Sequence, residues 1–364
     1  MFIEQKLKYE TRLLLIISIT LTVLGLLFVY SSSSFYAFEM YKQPLYFVQK
    51  QCIGIILGLL GFFIAKSMPL SFFKQTSFFL FITTILLTIA TLTPLGFKIH
   101  GSQRWLSLFH FTFQPSELIK VALVLYLASF LSRKKITEKN ILSTLPLIGL
   151  IGITSLILLM QPDFGCMIAI GATTLIMFFL AQLPIKYFIG SIAIATPFLF
   201  LLIYLQPYRW QRILTFLDPW QDPQGTGFQI IQALIAEGSG GLWGTGISQS
   251  KQKFLYLPMQ HTDFIFAIIA EEIGYIGSLF FITLFVAFLL IGFRISWSLK
   301  DAFSIFLVQG ITIMISLQAI INLLVTTGLA PTKGIGLPFI SYGNTALVCN
   351  MILLGLMINA IQDY

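Results

Sequence analysis

Charge is scarce in this sequence of 364 residues. Asp, Glu, Lys and Arg make up 10% of the chain, hydrophobic residues make up 57%, and the mean hydropathy is +0.90. A soluble domain carries about 25% charged residues, which cover the outward faces of its helices and strands. The shortage of charge excludes a soluble globular protein and identifies an integral membrane protein.

Cysteine and histidine are also rare, with three residues of each type in the chain. The cysteines lie far apart within or beside apolar runs, and no histidine has a partner at metal-ligand spacing. These residues are Cys52, Cys166 and Cys349, and His100, His110 and His261. We therefore expect neither a disulfide framework nor a structural metal site.

The formal net charge of +8 comes from cations scattered among short segments between apolar runs. There is no basic arm or aromatic-interleaved basic patch, so a nucleic-acid partner is not expected. If the N-terminus is inside, most of these cations fall in inner segments, which places both termini in the cytoplasm. The first apolar segment lacks a small-residue cleavage site, so we interpret it as a retained anchor.

Ten apolar runs are long enough for helical spans, whereas membrane β-strands would be shorter and would alternate. They lie near 13–34, 46–65, 72–93, 115–132, 141–160, 163–181, 186–205, 264–292, 303–326 and 341–360. The sequence therefore predicts an all-α integral membrane protein, a single polytopic domain over 1–364. Its one long connection, 206–262, faces outward on this topology.

Five ionisable residues fall within or at the ends of these runs, where a charge costs about 3 kcal/mol without a partner. Glu117 and Lys120 are three apart on one helix face, so they either pair with each other or line a cavity where Lys120 holds a lipid-linked phosphate. Asp163 in "QPDFG" either caps the sixth span or forms a wall of an outward cavity. The other two are Glu271 and Glu272.

Three carboxylates occur in "LPMQHTDFIFAIIAEEIGYIG", residues 257–277. Thr262 is a candidate N-cap and Asp263 a first-turn residue of the eighth span, where the helix dipole would keep its pKa low. Glu271 lies about 12 Å further along the helix and about 80° round from Asp263, and Glu272 is nearly opposite. We expect both glutamates to be buried against polar neighbours and separate from Asp263.

The outer connection contains an aromatic, cationic segment, "YRWQRILTFLDPWQDPQGTG", typical of a bilayer interface. After it, "FQIIQALIAEGSGGLWGTG" predicts a short apolar helix that ends in five glycines. Such a run either lets backbone N–H groups approach a phosphate or forms a flexible turn. It lacks the Lys-Ser/Thr ending of a P-loop.

The chain resembles the SEDS family (shape, elongation, division and sporulation) at several motifs. They are "QPSELIK", "QPDFG", "FLDPW", "ALIAEGSGGLWGTG", "YLPMQHTDFIFAIIAEEIG" and "TKGIGLPFISYG", which run in family order from about residue 100 to 345. The ten-span layout extends this resemblance over nearly the whole chain. "QPDFG", the run ending in Tyr256 to Pro258 and "PTKG" look more like the division member of the family than the elongation member.

The resemblance implies a peptidoglycan glycosyltransferase that polymerises lipid II at the outer face of the bacterial inner membrane, here at the division septum. It further implies a class B penicillin-binding protein and other division membrane proteins as partners, in contact with membrane lipids. The family's essential acid corresponds to Asp263. Its "QPSExxK" pair corresponds to Glu117 and Lys120, and its "RW" to Arg104 and Trp105.

Such a transfer, with inversion, joins a glucosamine 4-hydroxyl to the anomeric carbon of a muramyl sugar on undecaprenyl diphosphate. It needs a base at the hydroxyl and positive charge at the leaving diphosphate, so we assign Asp263 as the base. Lys120 is the first candidate for the diphosphate, and a divalent cation (Mg²⁺ or Mn²⁺) is a possible cofactor without an all-protein cage. The remaining substrate-binding candidates are Glu117, Arg104, Trp105, Asp163, Arg209, Arg212, Lys251, Lys253, Lys333 and Ser341.

The chain departs from the family pattern at Met259, where an acid is usual, at Cys166, and at 344–346 after "SYG". Each departure puts a supporting contact in doubt, and none removes Asp263. Two other functions stay open: a lipid II flippase, which would need polar groups spaced across the bilayer, and a non-catalytic scaffold of the division machinery, in which Asp263 would be dispensable.

Overall fold

The computed structural model describes residues 2–99, 102–108, 111–133, 142, 144–254, 257–258 and 260–362, and these form twelve α-helices and three strands. The helices are α1 (Phe2–Tyr41), α2 (Tyr46–Ser67), α3 (Leu70–Ala90), α4 (Pro115–Arg133), α5 (Leu145–Met160), α6 (Phe164–Leu180), α7 (Ile185–Tyr204), α8 (Pro207–Leu217), α9 (Phe228–Gly240), α10 (Ile265–Ser298), α11 (Ala302–Thr326) and α12 (Asn344–Gln362).

The ten predicted spans correspond to α1–α7 and α10–α12. Seven of these described helices are long and apolar enough to cross a membrane, and α5 and α6 are shorter apolar helices. The largest difference is at α1, which has 40 residues because its polar ends continue the helix beyond the apolar run. Hydropathy locates the part of a helix that can cross the bilayer, and the helix itself can extend further.

The central helices are α4, α11 and α12. In each of them, 72% of the most apolar 18-residue stretch is buried, compared with 22% in α2 and 28% in α3. Helix α4 packs against α3 and α11, and α2 packs along α12. The exposed faces of the peripheral helices carry large apolar side chains, including Ile56, Leu60 and Phe63 of α2, as expected for surfaces that contact lipid.

A small antiparallel sheet, which the sequence did not predict, lies between α3 and α4. It consists of β1 (Gly96–Ile99), β2 (Ser102–Leu108) and β3 (Phe111–Phe113), in that order, with Trp105 opposite Phe97. The strands are too short to give a clear alternating pattern. The all-α prediction is therefore correct for the membrane region and misses this sheet, which carries Arg104 and Trp105.

Helix α10 is broken at Gly274, whose φ of 69° and ψ of −170° are not helical. The part from Tyr275 to Ser298 is about 36 Å long at 1.5 Å per residue, which already exceeds a hydrocarbon core of about 30 Å. The nine residues before Gly274 are therefore not needed to cross the bilayer. Glu271 and Glu272 lie in this extra segment, beside the predicted outward connection.

The predicted outer connection is mostly structured. It contains α8, a 3₁₀ turn at Pro219–Gln221 and α9, which packs against α10. The short apolar helix predicted from Phe228 is confirmed as α9.

Candidate active site

Asp263 lies just before α10, which begins at Ile265 with Phe264 as its N-cap and without a side-chain cap. The predicted capping role of Thr262 and the first-turn position of Asp263 are therefore wrong. The backbone carbonyl of Asp263 accepts a hydrogen bond from Nδ2 of Asn322 in α11 (2.7 Å). Its half-buried carboxylate accepts no hydrogen bond from the described part of the chain.

The connection between α11 and α12 packs directly against this segment. The hydroxyl of Ser341 donates to the carbonyl of Thr262 (2.6 Å) and accepts from the amide of Leu337 (2.7 Å). Gly334 lies behind the carboxylate, since a Cβ atom there would stand 3.3 Å from Oδ2 of Asp263. Ser341, a substrate-binding candidate, thus occupies a buried position where it joins the two segments.

Lys333 precedes Gly334 in the chain and places its ammonium over the ring of Phe164. Its Nζ lies 4.9 Å from the centre of the Phe164 ring, and no carboxylate of the described residues pairs with it. Burial, with a further contribution from the charge of Arg212, lowers the pKa of Lys333 to about 8. An anion bound beside this ammonium would relieve both effects.

Three arginines surround the same region and are held by backbone carbonyls. Arg104 donates to the carbonyls of Gln161 (2.9 Å) and Pro162 (2.6 Å). Arg212 donates to the carbonyl of Thr332 (2.7 Å) and also to the Tyr208 hydroxyl. The guanidinium of Arg209 lies 5.5 Å from the Phe164 ring centre, on the ring that Lys333 also contacts. The carbonyl oxygens fix the guanidinium groups without neutralising their charge, and Arg104 also pairs with a carboxylate, that of Asp163.

Asp163 both caps a helix and belongs to the site. It is the N-cap of α6 and accepts a hydrogen bond from the amide of Cys166 (3.3 Å), which confirms the capping prediction. Oδ2 also accepts from Gln114 (3.1 Å) and Ser116 (3.0 Å), while Arg104 lies 3.7 Å from Oδ1. Asp163 is therefore held by several donors, unlike Asp263.

The pKa of Asp263 is raised from 3.8 to about 6. Burial is the largest cause, the positive charges of Arg104 and Arg212 lower the pKa, and the negative charge of Asp163 raises it. The low pKa expected from a helix N-terminus is wrong, because the side chain precedes the helix and is partly removed from water. A carboxylate of this pKa is a better base at neutral pH than an ordinary aspartate.

Lys120 and Glu117 form the predicted pair in the buried part of α4. Nζ of Lys120 lies 2.7 Å from Oε2 of Glu117 and donates to Oε1 of Gln318 at 2.7 Å. Both bonds would have to be exchanged before Lys120 could hold a phosphate. Lys333 and the arginines near Asp263 are more accessible for that purpose.

Lys251, Lys253, Glu271 and Glu272 form a separate cluster. The carboxylate of Glu271 accepts from the amides of Lys251 (2.8 Å) and Gln252 (3.4 Å) and from the hydroxyl of Ser250. The ammonium of Lys253 donates to the carbonyl of Ser248 (2.6 Å) and lies 3.4 Å from Glu272. The structure thus confirms that the glutamates are buried among polar partners, and it does not bring Lys253 to Asp263.

The glycine-rich segment packs against the break in α10. The amides of Thr245 and Gly246 donate to the carbonyls of Glu271 and Glu272 (both 2.9 Å), and the amide of Tyr275 donates to Gly241 (2.9 Å). A Cβ atom on Gly244 would stand 2.2 Å from the carbonyl oxygen of Glu272. These amides are used in backbone pairing, so the phosphate-cradle interpretation is wrong. The glycines permit a close backbone approach.

The departures from the family pattern at Cys166 and at 344–346 lie in the described structure, and the departure at Met259 does not. Cys166 is buried behind Asp163, with its Sγ 3.5 Å from the carbonyl of Ser116. The hydroxyl of Thr345 accepts from the amide of Gln114 (3.2 Å), which itself contacts Asp163. Met259 and Tyr256 lie outside the described residues.

Asn322, Gly334 and Phe164 are site residues that the sequence reasoning missed. Asn322 is buried in a long apolar helix, and an amide there is an uncommon choice that could have been noticed. Gly334 and Phe164 gave no signal, because their importance depends on contacts between distant segments.

Within the described residues there is no group of three or more His, Cys, Asp or Glu side chains that could hold a metal. The carboxylates at this site are Asp163, which is already bonded, and Asp263. The arrangement can therefore accept a proton at Asp263 and attract an anion at Lys333 and the arginines. This pairing of a base with adjacent cations suits a reaction with an anionic leaving group.

Comparisons with known proteins find relatives over nearly the whole chain. A family model described as cell cycle protein, covering FtsW, RodA and SpoVE, matches residues 11–363. The probable peptidoglycan glycosyltransferase FtsW of Coxiella burnetii is 40% identical over 351 residues, which cover 95% of this chain and 94% of that protein. Stage V sporulation protein E of Bacillus subtilis is 38% identical over 352 residues, 95% of each chain.

A solved structure is similar over nearly the whole chain. It comes from work described as structural coordination of polymerization and crosslinking by a peptidoglycan synthase complex. The TM-score is 0.79 with 27% sequence identity, over 96% of this chain and 97% of that one. The helical membrane fold is thus shared with a component of such a complex.

Proposed function

The chain belongs to the family of cell cycle proteins that comprises FtsW, RodA and SpoVE, and from that membership we propose that it is a peptidoglycan glycosyltransferase of cell division, acting on lipid II. Its relatives named FtsW support the division role. The observation that carries the proposal is the carboxylate of Asp263, which accepts no hydrogen bond from the described residues and is influenced by the positive charges of Arg104 and Arg212.

In the proposed reaction, Asp263 is the general base. It accepts the proton of the acceptor's 4-hydroxyl as that oxygen bonds to the anomeric carbon of the donor sugar. The bond from this carbon to the diphosphate breaks, and undecaprenyl diphosphate leaves with the electron pair. Attack from the face opposite the leaving group inverts the anomeric configuration. A positioned base contributes about 100- to 10,000-fold to such a step.

The leaving diphosphate is assigned to Lys333, Arg212 and Arg104, with Arg209 further along the same face. Lys333 has no competing carboxylate among the described residues, and the arginines are already oriented by backbone carbonyls. Preorganised cations of this kind stabilise charge that develops in the transition state. A divalent cation, where one takes part, would be held mainly by the diphosphate and water, because the described residues offer no cluster of protein ligands.

We further propose a class B penicillin-binding protein as the partner, an outward-facing site in the bacterial inner membrane, and recruitment to the septum. The similarity to a chain from a complex that coordinates polymerization and crosslinking supports the partner. The excess of cations in the predicted inner segments supports the orientation.

The test uses the purified chain together with its class B penicillin-binding protein and lipid II. Wild type should yield glycan strands on a gel, and Asp263→Asn should not. Unchanged polymer from the variant would refute Asp263 as the base. A parallel liposome assay for movement of labelled lipid II tests the flippase function. If the wild-type protein is inactive in both assays, the scaffold function is the one that remains.

A further inference from the structure

Asn322 lies on α11 with its amide directed at two backbone segments. Its Nδ2 donates to the carbonyl of Asp263 and to the carbonyl of Ile335, both at 2.7 Å. The side chain is 1% exposed. Because both partners are carbonyl oxygens, only the NH₂ end of the amide fits this position, and it uses both of its hydrogens there.

The two carbonyls belong to the two parts of the proposed site. Asp263 is the proposed base. Ile335 follows Lys333, which provides the cation, and Gly334, whose missing side chain leaves room for the carboxylate. Neither segment is helical, so internal helix bonds do not fix their relative position. One buried amide therefore joins the segment of the base to the segment of the cation.

We infer that Asn322 is a positioning residue that holds the backbone segment of Asp263 against the segment of residues 333–335. The inference rests on the proposed function. Asn322 touches neither reacting group through its side chain, so its loss should lower kcat more than it changes KM. A displacement of about 1 Å at a reacting centre can cost about 100-fold in rate.

The chain offers a matched control for this residue. Asn359 on α12 makes the same pair of hydrogen bonds: its Nδ2 donates to the carbonyls of Ala65 (2.8 Å) and Met68 (2.6 Å). Its side chain is also buried. These carbonyls lie at the C-terminal end of α2, away from the Asp263 segment. Asn359 thus has the same local chemistry without a link to the proposed site.

The experiment compares Asn322→Leu with Asn359→Leu in the complex with the class B penicillin-binding protein. Both lose two donors to buried carbonyls, so both should lower the melting temperature. We expect Asn322→Leu to reduce kcat for lipid II polymerisation about 10- to 100-fold with KM within about threefold. It should also move the acid limb of the pH profile, because the surroundings of Asp263 change. Asn359→Leu should keep kcat within about threefold and leave the acid limb in place.

A second variant covers the case in which Asn322→Leu does not fold. Asn322→Gln keeps both donors one carbon further out, so it should fold and show an intermediate kcat with a shifted acid limb. Equal kcat losses at 322 and 359, or a wild-type pH profile and kcat in Asn322→Gln, would overturn the inference. An inactive wild type would instead contradict the proposed function.

Discussion

Two carboxylates in one short stretch of this chain have opposite hydrogen-bonding environments. The carboxylate of Asp263 accepts no hydrogen bond from the described residues, and its pKa is raised to about 6. The carboxylate of Glu271, eight residues later, accepts from two backbone amides and one hydroxyl. A carboxylate whose oxygens are already bonded holds structure together, whereas an unbonded one beside cations is available for proton transfer.

The largest expected contrast comes from Asp263→Asn. Polymerisation should fall by about 100- to 10,000-fold, the usual contribution of a general base. The melting temperature should rise at pH 7, because burial makes ionisation of the folded protein unfavourable and Asn carries no charge. Activity on lipid II and thermal unfolding in detergent check the two effects. A variant with reduced activity and a lowered melting temperature would point to a structural role.

A second expected effect is a bell-shaped dependence of kcat/KM on pH. Below about pH 6 activity should fall about tenfold per pH unit as Asp263 is protonated. Above about pH 8 it should fall again as Lys333 loses its proton. Lys333→Arg keeps the charge at all these pH values, so it should remove the alkaline limb and leave the acid limb. An alkaline limb that persists in Lys333→Arg would assign it to another group.

Glu271→Gln should act mainly on stability. Gln has one acceptor oxygen where the carboxylate has two, so at least one donor of the 250–252 segment loses its partner. The cost should be about 1–3 kcal/mol in the free energy of unfolding, measured by denaturation of the purified chain. Polymerisation should stay within about tenfold of wild type. A loss as large as that of Asp263→Asn would remove the distinction between the two sites.

The smallest effect is expected at Ser31, whose hydroxyl bonds to Glu272. One oxygen of Glu272 accepts from the Ser31 hydroxyl and lies near Lys253, and the other has no partner among the described residues. Ser31→Ala leaves the buried pair of Lys253 and Glu272 intact. It should therefore cost about 0.5–1.5 kcal/mol, with activity near wild type. A cost above that of Glu271→Gln would show that the Ser31 hydroxyl is needed to hold the Lys253–Glu272 pair.

The sequence was sufficient for the membrane architecture and insufficient for the state of the site residues. Apolar runs located the ten spans because lipid demands long apolar helices. The pairing of Glu117 with Lys120 and the cap at Asp163 followed from local spacing, and both are present. Local spacing gave the wrong environment for Asp263, because the helix begins later and the surrounding cations come from distant segments. The strands of the sheet are too short to give an alternating pattern, and the break at Gly274 depends on pairing with residues 241–246, which no local pattern records.

The break at Gly274 also has a consequence for how the chain is made. The carbonyls of Glu271 and Glu272 and the amide of Tyr275 find their partners in residues 241–246, which precede them in the chain. During synthesis the glycine-rich segment leaves the ribosome first and is present when the first part of α10 emerges. The newly made backbone can pair with it at once, so these polar groups need not stay unpaired. The order of these two segments along the chain thus lets the break in α10 find its partners as soon as the helix is made.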